Sequence, residues 1–386
     1  MATNGTRVNG MAIDGAIRGR AVRPRVLVTG HRGYIGAVLT PMLLERGYAV
    51  VGVDAELYRG CDFGAAPPPA VPEIAEDVRE VGRRDLVGLH AIVHLAALSN
   101  DPLGDLNPAV TADINHGASV RLARLAREAG VARFLFSSSC SSYGAAGEAP
   151  VDEQSPVRPL TAYAESKVRV EADVSRLADA DFCVTFLRNA TAYGASPRLR
   201  LDLVVNDLVA SAVVTGRVRV LSDGTPWRPL IHVEDIARGF VAILEAPRDA
   251  VHGEAFNVGA PGENYQVRDL AELVREAVPG SRIEYAAGAG PDPRSYRVDF
   301  GKLARAVPGF EPRWTVRRGV AELRDAFQAA GLETVDLAGS RFRRVRRIRE
   351  MLDGGVLDAR LYPRTAAGSR RPAPDVPPGV WRELPR

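Results

Sequence analysis

The sequence is poor in cysteine and lysine and has no long apolar run, and these shortages exclude several classes of protein. Three cysteines stand at irregular spacings among 386 residues, which predicts no disulfide framework and fits a reducing compartment. The six histidines show no metal-ligand spacing, so we expect no metal site. No apolar stretch approaches the roughly 18 residues of a membrane span, so no membrane contact is expected.

The remaining composition is that of an ordinary globular protein. Hydrophobic residues make up 46% of the chain and charged residues 25%, enough for one large or two modest domains. A net charge of +3 gives no reason to expect a nucleic-acid partner. The first 23 residues are rich in Gly, Asn and Arg and lack an apolar core, which predicts a flexible tail rather than a signal peptide. We therefore expect a cytoplasmic protein.

A strand, a glycine-rich turn and a helix follow this tail. The apolar run from Val26 to Val28 is typical of a buried parallel strand, and Gly30, Gly33 and Gly36 come next. Glycines let the backbone approach a pyrophosphate, which the amides and dipole of a helix N-terminus attract. Because such turns also occur as plain connectors, the spacing alone is weak evidence for a dinucleotide site.

The next apolar run strengthens the prediction. It ends at Asp54, close to the offset of about 20 residues at which a carboxylate binds the adenosine ribose. A carboxylate there accepts hydrogen bonds from the 2′-hydroxyl and repels a 2′-phosphate, which favours NAD over NADP. Two nearby arginines, Arg32 and Arg59, either soften this preference or are only solvated.

Strand and helix patterns alternate along the first half of the chain. We expect strands at His90–Ala97, Arg133–Ser137 and Phe182–Arg188, and helices at Pro108–Ala129 and Thr161–Ala178. This alternation predicts an α/β fold with a doubly wound parallel (Rossmann) sheet. Ligands of such sheets lie beyond the carboxyl ends of the strands.

Four regions are expected in the chain. These are a flexible tail (1–23), an NAD-binding Rossmann domain (24–193), a smaller α/β substrate lobe interleaved with the last sheet strands (194–330), and a basic helical extension with a mobile tail (331–386). Within the extension, Arg341–Leu352 is a basic amphipathic helix. We expect its apolar face to dock while its arginines stay in water; a membrane or nucleic-acid role is the alternative.

A tyrosine and a lysine, Tyr163 and Lys167, stand one helical turn apart. A free tyrosine has a pKa of about 10 and is a poor base at neutral pH. A nearby ammonium, and a positively charged nicotinamide, should lower that pKa. Ser139, just past a strand end, is placed to share the substrate hydroxyl and stabilise an oxyanion. These residue types point to proton transfer at a hydroxyl that is being oxidised.

Together the motifs resemble the extended short-chain dehydrogenase/reductases, in particular the nucleotide-sugar epimerase/dehydratase group. The resemblance covers residues 25–329 and rests on Gly30-x-x-Gly33-x-x-Gly36, Asp54, Asp77-Val78, His94-Leu-Ala-Ala97, Ser137-Ser-Ser139, Tyr163-x-x-x-Lys167, Tyr193-Gly194 and Leu230-Ile-His-Val-Glu-Asp235. It implies NAD as a bound cofactor and a nucleotide-diphosphate sugar as substrate. It also implies a homodimer formed through the apolar outer faces of two helices, Pro108–Ala129 and Thr161–Ala178.

The same resemblance implies roles for individual residues. Tyr163 is the acid/base, with Lys167, Ser139 and Cys140 beside it. The implied cofactor-binding residues are Gly30, Arg32, Gly33, Tyr34, Ile35, Gly36, Asp54, Asp77, Val78, Leu95, Ala96, Ala97, Ser137, Tyr163 and Lys167. The implied substrate-binding residues are Ser99, Ser139, Cys140, Ser141, Thr191, Asn206, Arg228 and Arg294. Of these, Arg228 and Arg294 stand where the family holds the diphosphate; simple surface salt bridges are the alternative.

The family's chemistry begins with oxidation at sugar C4 and then branches. Return of the hydride to the other face inverts C4, proton abstraction at C5 leads to water loss or epimerisation, and a C6 carboxylate can leave as carbon dioxide. The 4,6-dehydratases carry an Asp-Glu pair just after the Ser/Thr, because water elimination needs an acid and a base. This chain has Cys140 and Ser141 there, which disfavours dehydration.

Cys140 leaves one further alternative open. The 3,5-epimerases that resemble this group use a cysteine two residues before a tyrosine, where this chain has Ser141 before Tyr143. Cys140 lies one residue earlier and is either catalytic or an inert small residue. We therefore predict an NAD-dependent nucleotide-sugar 4-epimerase of carbohydrate biosynthesis. The alternatives are a 3,5-epimerase, dehydratase, decarboxylase or 4-ketoreductase on the same scaffold, and a non-catalytic NAD-sensing regulator.

Overall fold

Fourteen strands and thirteen α-helices make up the described part of the protein, a computed structural model covering residues 23–64, 67–288, 290 and 292–364. The strands are β1 Arg25–Thr29, β2 Ala49–Val53, β3 Glu73–Ile74, β4 Ala91–His94, β5 Arg133–Ser139, β6 Ala145–Val151, β7 Cys183–Asn189, β8 Thr191–Tyr193, β9 Arg217–Val220, β10 Trp227–His232, β11 Ala255–Val258, β12 Asn264–Gln266, β13 Arg282–Tyr285 and β14 Ser295–Val298. The predicted N-terminal tail, apart from residue 23, and the predicted C-terminal tail from residue 365 lie outside the described residues.

The helices lie on both faces of the sheet and in the C-terminal half. They are α1 Gly36–Glu45, α2 Asp101–Gly104, α3 Pro108–Thr111, α4 Ala118–Glu128, α5 Ala162–Ser175, α6 Val204–Thr215, α7 Val233–Glu245, α8 Arg248–Val251, α9 Val267–Ala277, α10 Gly301–Ala306, α11 Val316–Ala329, α12 Thr334–Ala338 and α13 Arg344–Asp353. Short 3₁₀ turns occur at Arg83–Leu86 and Cys140–Tyr143, and a π-helical turn occupies Ala112–Gly117.

Seven parallel strands form the central sheet, in the order β11-β7-β5-β4-β1-β2-β3. Residues such as Val26, Leu27 and Val28 are fully buried because helices cover both faces, which explains the continuous apolar runs. The strand order reverses between β1 and β4, and the loops after these two strands diverge to leave a crevice. The predicted doubly wound fold is confirmed.

A smaller lobe packs over this crevice. It contains a three-stranded sheet, β12-β10-β8, and a two-stranded sheet, β13-β9, with α6, α9 and α11 around a core of their own. The chain returns from this lobe to the central sheet, where β11 pairs with β7. The strands and helices of the lobe are therefore interleaved with the last strand of the Rossmann sheet.

The predicted helix Pro108–Ala129 is interrupted, and this is a correction to the sequence analysis. A π-helical turn at Ala112–Gly117 separates α3 from α4. Within that turn, Asn115 accepts a hydrogen bond from the Leu98 amide at 2.8 Å and donates one to the Leu98 carbonyl at 3.1 Å. The widened turn thereby places a side-chain amide against the loop that follows β4.

The basic helix docks by its apolar face, but its arginines do not all stay in water. Ile348 on α13 is fully buried with Leu98 and Leu103 of the Rossmann domain. Arg344 is only 2% exposed, and its guanidinium lies 3.7 Å from the centre of the Tyr58 ring. The expectation of solvated arginines is therefore wrong for Arg344, because the helix begins in a crevice between the two lobes.

The outer surface of α4 and α5 is also more polar than expected. Arg169 pairs with Glu165 at 2.6 Å, and Arg127 pairs with Asp179 at 2.7 Å. Among the described residues, no large hydrophobic side chain of either helix is exposed. In the same part of the chain, no helix has the length and apolar character needed to cross a bilayer.

Candidate active site

A cavity of about 770 Å³ lies at the carboxyl edge of the central sheet, beneath the smaller lobe. Its size falls within the range of about 300–1,000 Å³ that is usual for small-molecule sites. Most residues predicted for the site line it: Gly30, Gly33, Tyr34, Ile35, Gly36, Asp54, Asp77, Val78, Leu95, Ala96, Ala97, Ser99, Ser137, Ser139, Ser141, Tyr163, Lys167, Thr191, Arg228 and Arg294. Three predicted residues, Arg32, Cys140 and Asn206, do not.

The glycine-rich turn folds tightly around one carbonyl oxygen. Gly30 has a φ of +72°, which favours glycine, and its carbonyl accepts from the Gly33 amide at 2.9 Å. A Cβ at Gly36 would lie 2.2 Å from the Gly30 oxygen, and one at Gly33 would lie 3.0 Å away. Backbone without side chains therefore lies at the start of α1. This leaves room for the pyrophosphate of a dinucleotide to approach the helix N-terminus.

Gly36→Ala should therefore weaken NAD binding by at least about tenfold, which is about 1.4 kcal/mol. The added methyl group meets a backbone oxygen that can move only if the turn opens. Bound NAD per mole of purified protein and a titration with NAD measure the effect. Gly309→Ala is the control, because a Cβ there meets nothing within 4 Å. Wild-type affinity in Gly36→Ala would contradict the proposed seating of the cofactor.

Asp54 is held in place at the cavity by two backbone amides. Its Oδ1 accepts from the Glu56 amide at 2.8 Å and its Oδ2 from the Arg32 amide at 3.1 Å. Each oxygen keeps a second lone pair, so the carboxylate can still accept from ribose hydroxyl groups. The position of Asp54 and its acceptor oxygens fit a ribose that carries no 2′-phosphate.

The arginines near Asp54 are neutralised by glutamates. Arg32 contacts Glu73 at 2.5 Å and Glu56 at 3.1 Å, and Arg59 also pairs with Glu56. Neither arginine lines the cavity. The structure therefore gives no support to Arg32 as a cofactor ligand, and the glutamates offset the charge that would attract a 2′-phosphate.

Tyr163 and Ser139 both line the cavity. Burial raises the pKa of Tyr163 to about 12, although the neighbouring Ser139 side chain opposes this rise. The expected lowering of this pKa is wrong for the chain alone. The ammonium of Lys167 is 5.7 Å from the ring centre, and the hydrogen bond that it donates goes to the Ser137 carbonyl at 2.7 Å.

Lys167 is itself a perturbed group. It is 3% exposed, and burial lowers its pKa to about 7, opposed by the charge of Glu171. Glu171 is already engaged by Arg188 at 2.7 Å and by Ser138 at 2.5 Å. Lys167 therefore carries only part of a charge at neutral pH. An additional cation at this site would be needed to make Tyr163 an effective base.

Two arginines face the other end of the cavity from the smaller lobe. Arg228 donates to Asp292 at 2.8 Å, and Arg294 donates to the same carboxylate at 2.6 Å. Arg294 also donates to Asp101 at the start of α2, and Asp101 accepts from Thr161 at 2.6 Å. These arginines form the salt bridges that were the alternative, and they also line the cavity, so binding of a diphosphate by them stays a prediction. The cluster joins the lobe to the start of the Tyr163 helix.

A family model described as the NAD dependent epimerase/dehydratase family matches residues 26–259, more than half of the chain. The chain belongs to this family. Its cofactor is NAD, in agreement with the glycine turn and Asp54. A solved structure with the same fold, MoeE5 in complex with UDP-glucuronic acid and NAD, is 27% identical with a TM-score of 0.69; the match covers 79% of this chain and 99% of that one.

Two relatives of known name differ in the reaction that they catalyse. UDP-glucose 4-epimerase of Mycolicibacterium smegmatis is 30% identical over 314 residues, 79% of this chain and 98% of that protein. UDP-glucuronic acid decarboxylase 1 of Arabidopsis thaliana is 29% identical over 317 residues, 79% of this chain and 70% of that protein. This family member is therefore an enzyme of the epimerase/dehydratase type, and these similarities leave its reaction undecided.

Two predicted substrate residues of this family member face away from the cavity. Asn206 is fully buried, with its Oδ1 accepting from the Gly194 amide at 3.0 Å and its Nδ2 donating to the Arg200 carbonyl at 3.0 Å. Cys140 is 1% exposed and donates to the Arg188 carbonyl at 3.1 Å. Burial raises the pKa of the Cys140 thiol, which keeps it protonated. Both side chains support the backbone around the site instead of entering it.

Other charged residues at the cavity were not predicted. They include Glu76, Arg200, Asp202, Asp207, Arg219, Asp292, Arg343 and Arg344. Asp207 follows Asn206 directly. The sequence analysis therefore placed the correct turn of α6 at the site, but it chose Asn206 instead of Asp207, whose side chain lines the cavity. No sequence signal connects Arg343 and Arg344 with the site. Among the described residues, no group of three or more His, Cys, Asp or Glu side chains is arranged to hold a metal ion.

Proposed function

We propose that this enzyme is a nucleotide-sugar epimerase that inverts C4 of the sugar. The observation that carries the proposal is the position of the Tyr163 hydroxyl. It lies in one cavity with Ser139, with the glycine turn and with Arg228 and Arg294. Such a cavity can hold NAD at one end and a nucleoside diphosphate at the other, with the sugar between them.

The roles of the side chains follow from their chemistry. Tyr163 takes the proton of the sugar 4-hydroxyl, and Ser139 donates a hydrogen bond to the same oxygen as it becomes a carbonyl. Lys167 holds the Ser137 backbone at the end of β5 and supplies positive charge near the phenol. NAD held by the glycine turn and Asp54 would supply the hydride acceptor and a further positive charge. Tyr163 later returns its proton to the C4 oxygen when the hydride is delivered to the opposite face.

The residues after Ser139 favour epimerisation over the family's other reactions. Inversion at C4 needs no second acid/base pair, and Cys140 and Ser141 supply none. Because Cys140 is turned toward Arg188 and away from the cavity, it gives no support to a 3,5-epimerase. The similarity to a UDP-glucose 4-epimerase points in the same direction. Decarboxylation of a nucleotide-linked uronic acid is the second candidate, favoured by the decarboxylase relative.

A substrate panel tests the proposed reaction. The purified enzyme is incubated with UDP-, GDP- and dTDP-linked hexoses and uronic acids, and products are measured by mass spectrometry and proton NMR. A product of unchanged mass with inverted C4 supports the proposal. Loss of water or carbon dioxide would replace it with dehydration or decarboxylation, and net reduction of NAD would indicate a dehydrogenase. Bound NAD without any product would favour a regulator.

Cys140→Ala should leave turnover within about twofold of wild type and lower the free energy of unfolding by about 1 kcal/mol, a usual cost of a small buried truncation. The thiol lies outside the cavity and makes only its contacts to neighbouring backbone and side chains. Turnover on the substrate found above and urea unfolding measure the two effects. Loss of turnover at wild-type stability would restore a catalytic cysteine and the 3,5-epimerase alternative.

We also infer a cytoplasmic homodimer. The outer surface of α4 and α5 carries ion pairs within the chain, so a dimer contact through these helices would be more polar than the contact first expected. Light scattering on the purified enzyme gives its mass in solution. A mass of about 41 kDa, that of one chain, would exclude the dimer.

A further inference from the structure

A segment beyond the family-matched residues crosses from one lobe to the other. Residues 342–364, here called the strap, begin at Phe342, which is buried in the core of the smaller lobe and whose carbonyl accepts from the Leu201 amide at 2.9 Å. They end near Tyr362, which donates to Glu80 of the Rossmann domain at 2.8 Å. The guanidinium of Arg79 lies 3.8 Å from the centre of the Tyr362 ring. The strap is therefore anchored on both sides of the cavity.

Between these anchors the strap supplies two arginines to the cavity wall, Arg343 and Arg344. The side chain of Arg344 is held in place by the protein, because it is 2% exposed, stacks on Tyr58 and donates to the Arg198 carbonyl at 3.3 Å. Its neighbour Arg343 is about a quarter exposed, so part of its guanidinium remains accessible from the cavity.

Two protein groups hold Arg343 and leave donors unused. Its Nε donates to the Leu337 carbonyl at 2.7 Å, and its Nη2 donates to Asp207 at 2.5 Å. A guanidinium has five N–H donors, so three remain for a ligand. Asp207 also lines the cavity, and burial raises the pKa of this carboxyl while Arg343 opposes the rise. Arg343 and Asp207 are thus an ion pair on the wall of the cavity.

A ligand with a diphosphate group interacts oppositely with the two partners. Asp207 repels it and Arg343 attracts it, and in a partly enclosed cavity both interactions are strong. The position adjoins Arg219, which lines the same cavity, is exposed, and is the other arginine that acts electrostatically on Asp207. Removing Arg343 would leave Asp207 without its direct ion-pair partner and make this part of the wall less favourable for an anion.

We propose that Arg343 is a substrate-binding residue whose guanidinium binds a phosphate oxygen of the nucleotide sugar, so that the strap forms part of the substrate site. The inference rests on the proposed function, since it needs a substrate with a diphosphate. A guanidinium suits this task because it can contact two phosphate oxygens at once. Through this contact the strap would bind the substrate as well as both lobes.

Two substitutions that break the same ion pair provide the test, because they should act in opposite directions. In titration calorimetry of the NAD-loaded enzyme with UDP, GDP and dTDP, Arg343→Gln should weaken the nucleotide that wild type binds best by at least about tenfold. Arg343→Lys should restore part of the affinity. Asp207→Asn should bind that nucleotide as tightly as wild type or more tightly. Arg349→Gln is the control, since Arg349 is exposed on the same helix and does not line the cavity.

The possible failures are distinguishable. Weaker binding by Arg343→Gln and Asp207→Asn to the same degree would show that the pair only supports the fold, and the inference would be overturned. Arg343→Gln with wild-type affinity would overturn it as well, with the proposed function intact. If wild type bound none of the three nucleotides, the proposed function would fail first. The NAD content of each variant should equal that of wild type; a loss of NAD in Arg343→Gln would assign Arg343 to the cofactor instead.

Discussion

Replacing Tyr163 with phenylalanine should lower kcat by about 10²–10⁴-fold, the usual contribution of a positioned acid/base, while NAD stays bound. The change removes one oxygen atom and leaves the ring in the cavity wall. The hydroxyl is the group that receives the substrate proton in the proposed reaction, and it lines the cavity together with Ser139. Steady-state turnover on the substrate found by the panel measures the loss, and bound NAD per mole of protein measures cofactor retention.

A second tyrosine provides the control for this substitution. Tyr285 is 49% exposed and does not line the cavity, so Tyr285→Phe should leave kcat unchanged. If Tyr163→Phe kept its turnover, Tyr163 would have no part in proton transfer and the proposed mechanism would be abandoned. If Tyr163→Phe lost NAD together with turnover, the main role of the phenol would be to bind the cofactor.

Replacing Lys167 with methionine should remove a dependence of stability on pH. Burial lowers the pKa of Lys167 to about 7 from 10.5, so the unfolded chain binds more protons than the folded chain between these values. Stability contributed by this group therefore rises with pH from about 7 upward. Over the two units from pH 7 to pH 9 the rise is at most about 3 kcal/mol, at about 1.4 kcal/mol per unit. The Lys167→Met variant should not show this rise of stability with pH.

The other lysine of the chain is a matched control. Lys302 is partly exposed and pairs with Glu254 at 2.6 Å, so Lys302→Met should keep the wild-type rise. Urea unfolding at pH 7 and pH 9 without added cofactor measures each slope. Equal slopes in wild type and Lys167→Met would mean that Lys167 stays fully charged in the folded protein. Turnover should also fall in Lys167→Met, because the charge near Tyr163 is lost.

Local features of the sequence predicted the central part of the site. Gly30, Gly33 and Gly36 lie within one turn, and Tyr163 and Lys167 lie within one turn of a single helix. Their relative positions follow from local backbone geometry, and the order of strands then brings both motifs to one sheet edge. Asp54 was predictable for the same reason, because it directly follows β2.

Errors arose where a single residue decided the direction of a side chain. Asn206 and Asp207 are neighbours on α6, and one helical step of about 100° turns the first into the core and the second into the cavity. Cys140 lies in a 3₁₀ turn that directs its thiol toward the Arg188 carbonyl. The guanidinium of Arg32 donates a hydrogen bond to Glu73, which stands 41 residues further along the chain. None of these partners can be identified from local spacing.

The sequence by itself determined the Rossmann architecture, NAD as cofactor and the tyrosine–lysine pair, because each depends on residues within one or two adjacent elements. Only the tertiary structure decided the direction of the Tyr163 pKa, since burial there outweighs the neighbouring charge. It also decided that Arg343 meets Asp207, a residue 136 positions away. Local periodicity specifies strands and helices, whereas desolvation and the pairing of distant charges depend on how those elements pack.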